Sequence, residues 1–124
     1  MFSTLIKDLR VAKRLTLREF CQLLGIDPSN WSKVERGINP PPSDVEFLER
    51  LAEFFELLPE KKQELFDAAA VGRRELPQDL AEDALFTQAL PAFFRAYRDH
   101  ELTEEQLLSL AVDIRKLHRP DEES

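Results

Sequence analysis

Residues 16–37, TLREFCQLLGIDPSNWSKVERG, decide how this chain folds. They read as two short helices joined by a glycine. Thr16 with Glu19 forms a capping box: the hydroxyl accepts an otherwise unpaired amide at the helix start, and the carboxylate reaches back to the cap. Phe20, Cys21 and Leu24 then fall at helical spacing and give one apolar face. Gly25 stops the helix, because glycine takes the left-handed conformation without steric cost. Ile26 supplies an apolar contact after the turn. Asp27 and Pro28 open the second helix as a capping acceptor and a first-turn proline, and Gly37 closes it.

At about 100° per residue, the second helix separates into two sides. Trp31 and Val34 point to one, the side a core would take. Ser29, Lys33 and Arg36 point to the other, with Asn30 and Ser32 on its flanks. A lysine can donate to guanine O6 or N7, a serine can serve a base or a phosphate, and an asparagine suits adenine. Arg36, at the helix end, is better placed for a phosphate than for a base. Any solvated helix face can present such a stripe. The helix–glycine–helix setting favours a helix that enters the major groove of double-stranded DNA.

Residues 4–55 resemble the Xre family of helix-turn-helix DNA-binding domains, the group that includes phage lambda-type repressors. The resemblance lies in LIKDLRVAKRLTLREFCQLLGIDPSNWSKVERG, followed by a proline-rich loop and FLERLAEFF. It implies an all-α, five-helix bundle that binds operators, usually as a dimer. It places Pro28, Ser29, Asn30 and Lys33 at base-reading or groove-facing positions, and Arg36 at one that contacts the DNA backbone. Ser32 joins the candidate site from the flank of the stripe. The resemblance further implies a salt bridge from Arg10 to Glu35, tying the first helix to the end of the recognition helix. Read alone, Glu35 could equally be a solvated acid.

Two positions depart from the family pattern. Leu17 stands where a polar residue usually grips phosphate. Asp27 stands where serine or threonine is common; it caps well but brings a carboxylate close to the phosphates. Cys21 occupies a place often held by alanine, and reads as a small packed residue.

The 124 residues suffice for one domain, or for one small domain with an extension. Net charge is −7, which taken whole argues against a nucleic-acid partner. Its distribution reverses that argument. Residues 1–42 hold seven Lys/Arg against four Asp/Glu, whereas residues 43–124 hold ten against twenty. A basic head on an acidic body suits a groove-binding module with a separate interaction region. The single cysteine excludes an intramolecular disulfide and fits a reducing, cytoplasmic setting. No apolar run approaches the roughly 18 residues of a membrane span, and no signal-peptide pattern is visible.

Working outward, residues 3–15 read as a first helix with Leu5, Ile6, Leu9 and Ala12 facing inward. Its Lys7, Lys13 and Arg14 are either solvated or close to phosphate. The loop INPPP, residues 38–42, cannot be helical, because consecutive prolines lack amide donors. Ser43 with Glu46 reads as a second capping box, opening a helix to residue 57 with Val45, Leu48, Ala52 and Phe55 as its stripe. Pro59 begins a fifth helix, ended by Gly72, part of which closes the core. The expected DNA-binding domain is therefore residues 1–72.

Residues 73–119 read as a helical extension for dimerisation or partner binding, interrupted by Pro77 and Pro91. Thr103 with Gln106 caps a final helix carrying Leu107, Leu110, Ala111, Ile114 and Leu117. Phe86, Phe93, Phe94 and Tyr97 cluster before it. They either fill a small core of their own or form an interface, where aromatics are favoured anchors. The elements LP…DL and LPAFFR loosely resemble extensions on Xre regulators found beside toxin or metallopeptidase partners, which would imply an antitoxin or a partner-controlled repressor. The tail PDEES, residues 120–124, reads as disordered.

Signatures of catalysis are missing from this sequence. His100 and His118 are isolated, with no metal-ligand spacing to each other or to Cys21. Cys21 has no neighbouring base, and three glycines cannot build a phosphate-cradling loop. The reading is an all-α, lambda repressor-like bundle with a C-terminal helical extension, without metal or cofactor. It would act as a homodimeric repressor of its own or a neighbouring promoter. The alternative is an antitoxin or interaction module whose acidic helices bind another protein.

Overall fold

The Thr16 hydroxyl accepts from the Glu19 amide at 3.1 Å, and the Thr16 amide donates to the Glu19 carboxylate at 2.9 Å. That capping box starts α2 (Leu17–Leu24), and Gly25, at φ 70°, ends it. The computed structural model describes residues 1–117, all helix and connecting turns among those residues. Around α2 lie α1 (Phe2–Ala12), α3 (Pro28–Glu35), α4 (Val45–Phe54) and α5 (Pro59–Gly72). A short α6 (Gln78–Ala81) follows, then α7 (Ala84–His100) and α8 (Glu104–Arg115).

The core is built where α1 packs on α3 and α5, α2 on α3, and α4 on α5. Phe20 sits at its centre without solvent exposure. Its ring lies 5.6 Å from each of Trp31, Phe54 and Phe55, centroid to centroid. Ile6, Leu51 and Leu65 bring α1, α4 and α5 into the same cluster. Leu65 and Ala69 are fully buried, so the fifth helix does close the bundle.

Several local expectations are corrected. The inward stripe of α1 is Phe2, Ile6 and Arg10, with Leu5 and Leu9 half-buried beside it, while Ala12 is exposed. An arginine can hold the inward place because its guanidinium is fully partnered there. Helix α4 is capped by Asp44, whose carboxylate accepts from the Glu46 amide at 3.0 Å, and not by Ser43. Aspartate caps as well as serine and stands one residue nearer the helix. Val45, the first helical residue, is left exposed, and Leu51 takes the core place instead.

Pro91 does not interrupt α7, which runs unbroken through it. An interior proline costs a helix about 3 kcal/mol. Here it lies at an exposed position, where the Thr87 carbonyl that loses its donor can turn to water. Phe93, Phe94 and Tyr97 are exposed, so they fill no core.

Gly72 has a use beyond ending a helix. A Cβ there would come within 2.5 Å of Pro41 Cγ and 2.9 Å of its Cδ. The bare backbone lets α5 and the proline loop touch, and Arg73 adds a hydrogen bond to the Pro42 carbonyl at 2.6 Å. Gly72→Ala is expected to lower stability by about 1–3 kcal/mol, because a rigid proline ring must move. Urea unfolding would measure it, and a neutral result would show that the loop shifts freely.

By its internal contacts the chain divides after Glu82, into Met1–Glu82 and the residues from Asp83 onward. The boundary expected from the sequence lies after Gly72. The stretch from Glu75 to Glu82 lines a cavity of about 820 Å³ with α4 and α5, which explains its place in the first unit. The expected disordered tail, residues 120–124, and His118 lie outside the described residues.

Candidate nucleic-acid interface

Three devices fix α3. The Asp27 carboxylate accepts from the Asn30 amide at 3.1 Å and Pro28 occupies the first turn, so the helix start is set. Trp31 and Val34 are buried and anchor its inner face. Glu35 locks its end. The Arg10 guanidinium donates from Nε to Glu35 Oε2 at 2.9 Å and from Nη2 to Oε1 at 2.8 Å. The Trp31 indole donates to the same Oε2 at 2.9 Å. Arg10 Nη1 also reaches the Leu15 carbonyl at 2.7 Å, joining the turn before α2 to the lock.

The two side chains of this bridge are only 11% and 5% exposed, so it is an interior pair and not a surface one. The hydrogen bond and charge of Glu35 raise the Arg10 pKa above its ordinary value, against the opposing effect of burial. The bridge expected from the family resemblance is thus present. The Trp31 bond to it was not legible from spacing.

With that inner face fixed, the outer face presents Pro28, Ser29, Asn30, Lys33 and Arg36 to solvent, with Ser32 half-buried among them. Two of these side chains are partly engaged. The Asn30 side-chain carbonyl accepts from the Asn39 amide group at 2.8 Å, which holds the loop after α3 against its first turn. Arg36 donates from Nε to the Ser32 carbonyl at 3.3 Å, leaving its Nη groups for another acceptor. The arrangement offers a lysine, an amide and hydroxyls along one helix face, with a guanidinium at its end.

The departures from the family pattern take a definite form. The Leu17 side chain packs against the core, so that position contributes apolar contact in place of a polar grip. Arg18, its exposed neighbour in the first turn of α2, is not among the residues expected from the sequence. The signal was an arginine two residues after a helix cap. Asp27 is a working cap, as expected. Lys13 has its ammonium 4.9 Å from the centre of the Phe54 ring, which gives it a structural partner.

Cys21 is fully buried. Burial pushes its thiol pKa up, the charge of Glu35 adds to this, and nearby Arg10 opposes it. The neutral thiol packs between helices and is no nucleophile in that state. Among the described residues no group of three or more His, Cys, Asp or Glu is placed to hold a metal. No helix among them is long and apolar enough to cross a membrane.

A family model described as a helix-turn-helix domain matches residues 2–65, more than half of the chain. Comparison with curated proteins and with solved structures gave no match. The matched span covers α1 to α4 and the first half of α5, including the capped turn, the buried lock and the polar face of α3. The chain belongs to the helix-turn-helix domain family, whose members point to DNA-binding regulators.

Proposed function

We propose that this protein is a sequence-specific DNA-binding repressor of its own or a neighbouring promoter, acting in the cytoplasm as a homodimer. Helix α3 is the recognition helix. One observation carries the reading: a short helix pinned on its inner face by Trp31, Val34 and Glu35 turns Ser29, Asn30 and Lys33 outward together. Those three side chains read base edges, with Pro28 and Ser32 setting the approach. Arg36 holds phosphate, as does Arg18 in place of a polar residue at Leu17. A single recognition helix reads few base pairs, so a two-fold dimer would address half-sites about 34–36 Å apart or a multiple of that.

The test is titration onto the chain's own upstream DNA and a scrambled control across a salt series. Lys33→Ala is expected to flatten the preference between the two DNAs by roughly 10-fold, the lower range for one base contact. Arg36→Ala should weaken both alike and reduce the salt slope by about one unit. Equal losses on both DNAs from the two variants would defeat this division of roles. Equal, weak binding of the wild type to both DNAs would defeat the reading as a whole.

A second reading is favoured by the acidity of residues 43–124 and by the Asp27 carboxylate at the start of the recognition helix. It is an antitoxin or interaction module in which the acidic half engages another protein. Co-purification with the product of an adjacent gene would support that reading, and its absence would count against it.

A further inference from the structure

Helices α7 and α8 hold no buried residue, yet each carries an apolar stripe. In α7 the stripe is Phe86, Leu90, Phe93 and Tyr97, at spacings of four, three and four residues. This is the alternation with which helices pair side by side. Phe93, Phe94 and Tyr97 are 49%, 45% and 40% exposed. Helix α8 repeats the pattern with Leu107, Leu110 and Ile114, the last two exposed. Short helices in water do not sustain such stripes uncovered.

We propose that two copies of this chain pair through α7, antiparallel, about a two-fold axis between Leu90 and Phe93. The inference deepens the homodimer of the preceding reading and rests on that reading for what the dimer does. Its physical basis is separate.

The stripe is compatible with its own copy. The positions flanking it in the pairing pattern are Thr87, Ala89, Phe94 and Ala96, none of them charged. Arg95, Arg98 and Asp99 fall on the outer face, as does Pro91, so neither charge nor a missing amide enters the seam. An antiparallel register sets Phe86 against Tyr97 of the second copy and Leu90 against its Phe93. The same register sets Asp83, at one end of the stripe, against His100 at the other. A parallel pairing instead stacks Asp83 on Asp83, which like charges oppose.

Size sets what a stable seam needs. Helix α7 is about 25 Å long at ~1.5 Å per residue. A single strip of that length and one helix width falls short of the ~800 Å² per partner of a standard interface. Leu110 and Ile114 of α8, both exposed, are the further apolar surface available to make up that difference.

Sedimentation of the full chain, without DNA, tests the pairing. The wild type is expected to run as a dimer. Phe93→Glu should weaken dimerisation by more than roughly 100-fold, because a charge enters an apolar seam. Trp31 fluorescence should stay unchanged, since Phe93 lies outside the first unit. Register is read by oxidising a mixture of Leu90→Cys and Phe93→Cys chains. The mixture should crosslink, and either variant alone should not; buried Cys21 gives the wild-type control its blank. A wild type that stays monomeric at the highest soluble concentration overturns the proposal and leaves the face to a different protein. A Phe93→Glu dimer, or self-crosslinking of each variant, overturns it too. If the dimer persists while DNA binding proves unspecific, this inference stands and the DNA reading falls.

Discussion

Replacing Glu35 with alanine is expected to remove about 3–5 kcal/mol of stability, the range for breaking a buried ion pair by deleting one partner. The carboxylate has three donors on it, two from Arg10 and one from the Trp31 indole. Without it, the Arg10 guanidinium stays inside with the Leu15 carbonyl as its remaining acceptor. A charge in that position can neither ionise less, being arginine, nor reach water without unpacking the turn before α2. Domains of this size hold only about 5–15 kcal/mol in all, so the variant should unfold at much lower urea. Trp31, the only tryptophan and itself buried, reports the transition directly. The double variant Arg10→Met with Glu35→Leu separates causes, because exchanging a whole buried pair for apolar groups is often neutral. A cost below about 1 kcal/mol for Glu35→Ala would mean that the pair behaves as an exposed bridge.

That lock also explains how far the sequence could be read. The capping boxes at Thr16 and Thr103, the glycine at Gly25 and the proline after Asp27 are local chemistry, written within four residues, and they stand in the structure as read. The buried face of α3 followed from helical periodicity for the same reason. What spacing could not give was competition between neighbours and partnership across the chain. Asp44 displaced Ser43 as a cap because both are good acceptors and only geometry chooses between them. Arg10 displaced Ala12 from the inward stripe of α1 because Glu35, twenty-five residues on, supplies its countercharge. Gly72 looked like a helix terminator, while its closeness to Pro41 depends on a tertiary approach. Leu17 reads in the sequence as a lost phosphate grip; its packing against the core shows what that position does instead.

The outward residues of the candidate interface were legible because they are what remains once the inward ones are assigned. Their positioning was not, since it depends on Arg10, Trp31 and Phe20 acting at a distance in sequence.

Phe20→Ala is the sharpest test of that positioning. Burying a phenylalanine fully and then truncating it costs about 3–5 kcal/mol, part from lost transfer energy and part from the cavity. Here the ring also has three aromatic neighbours at 5.6 Å, stacked on Phe55 and tilted or edge-on to Trp31 and Phe54. Each such pair contributes about 0.5–1.5 kcal/mol beyond area, so the upper part of the range is expected. Phe20→Leu keeps most of the volume and should cost well under half as much. Leu23→Ala, on the exposed side of the same helix, should change stability by less than about 0.5 kcal/mol. Urea unfolding of the three variants ranks them, and equal losses for Phe20→Ala and Leu23→Ala would mean that the core is not centred on Phe20. The functional consequence follows from the same contact. Trp31 leans on the Phe20 ring from one side and hands its indole proton to Glu35 on the other. A cavity at residue 20 therefore loosens the inner face of α3, the proposed recognition helix, and the DNA preference proposed for it should fall even in the fraction of Phe20→Leu molecules that remain folded.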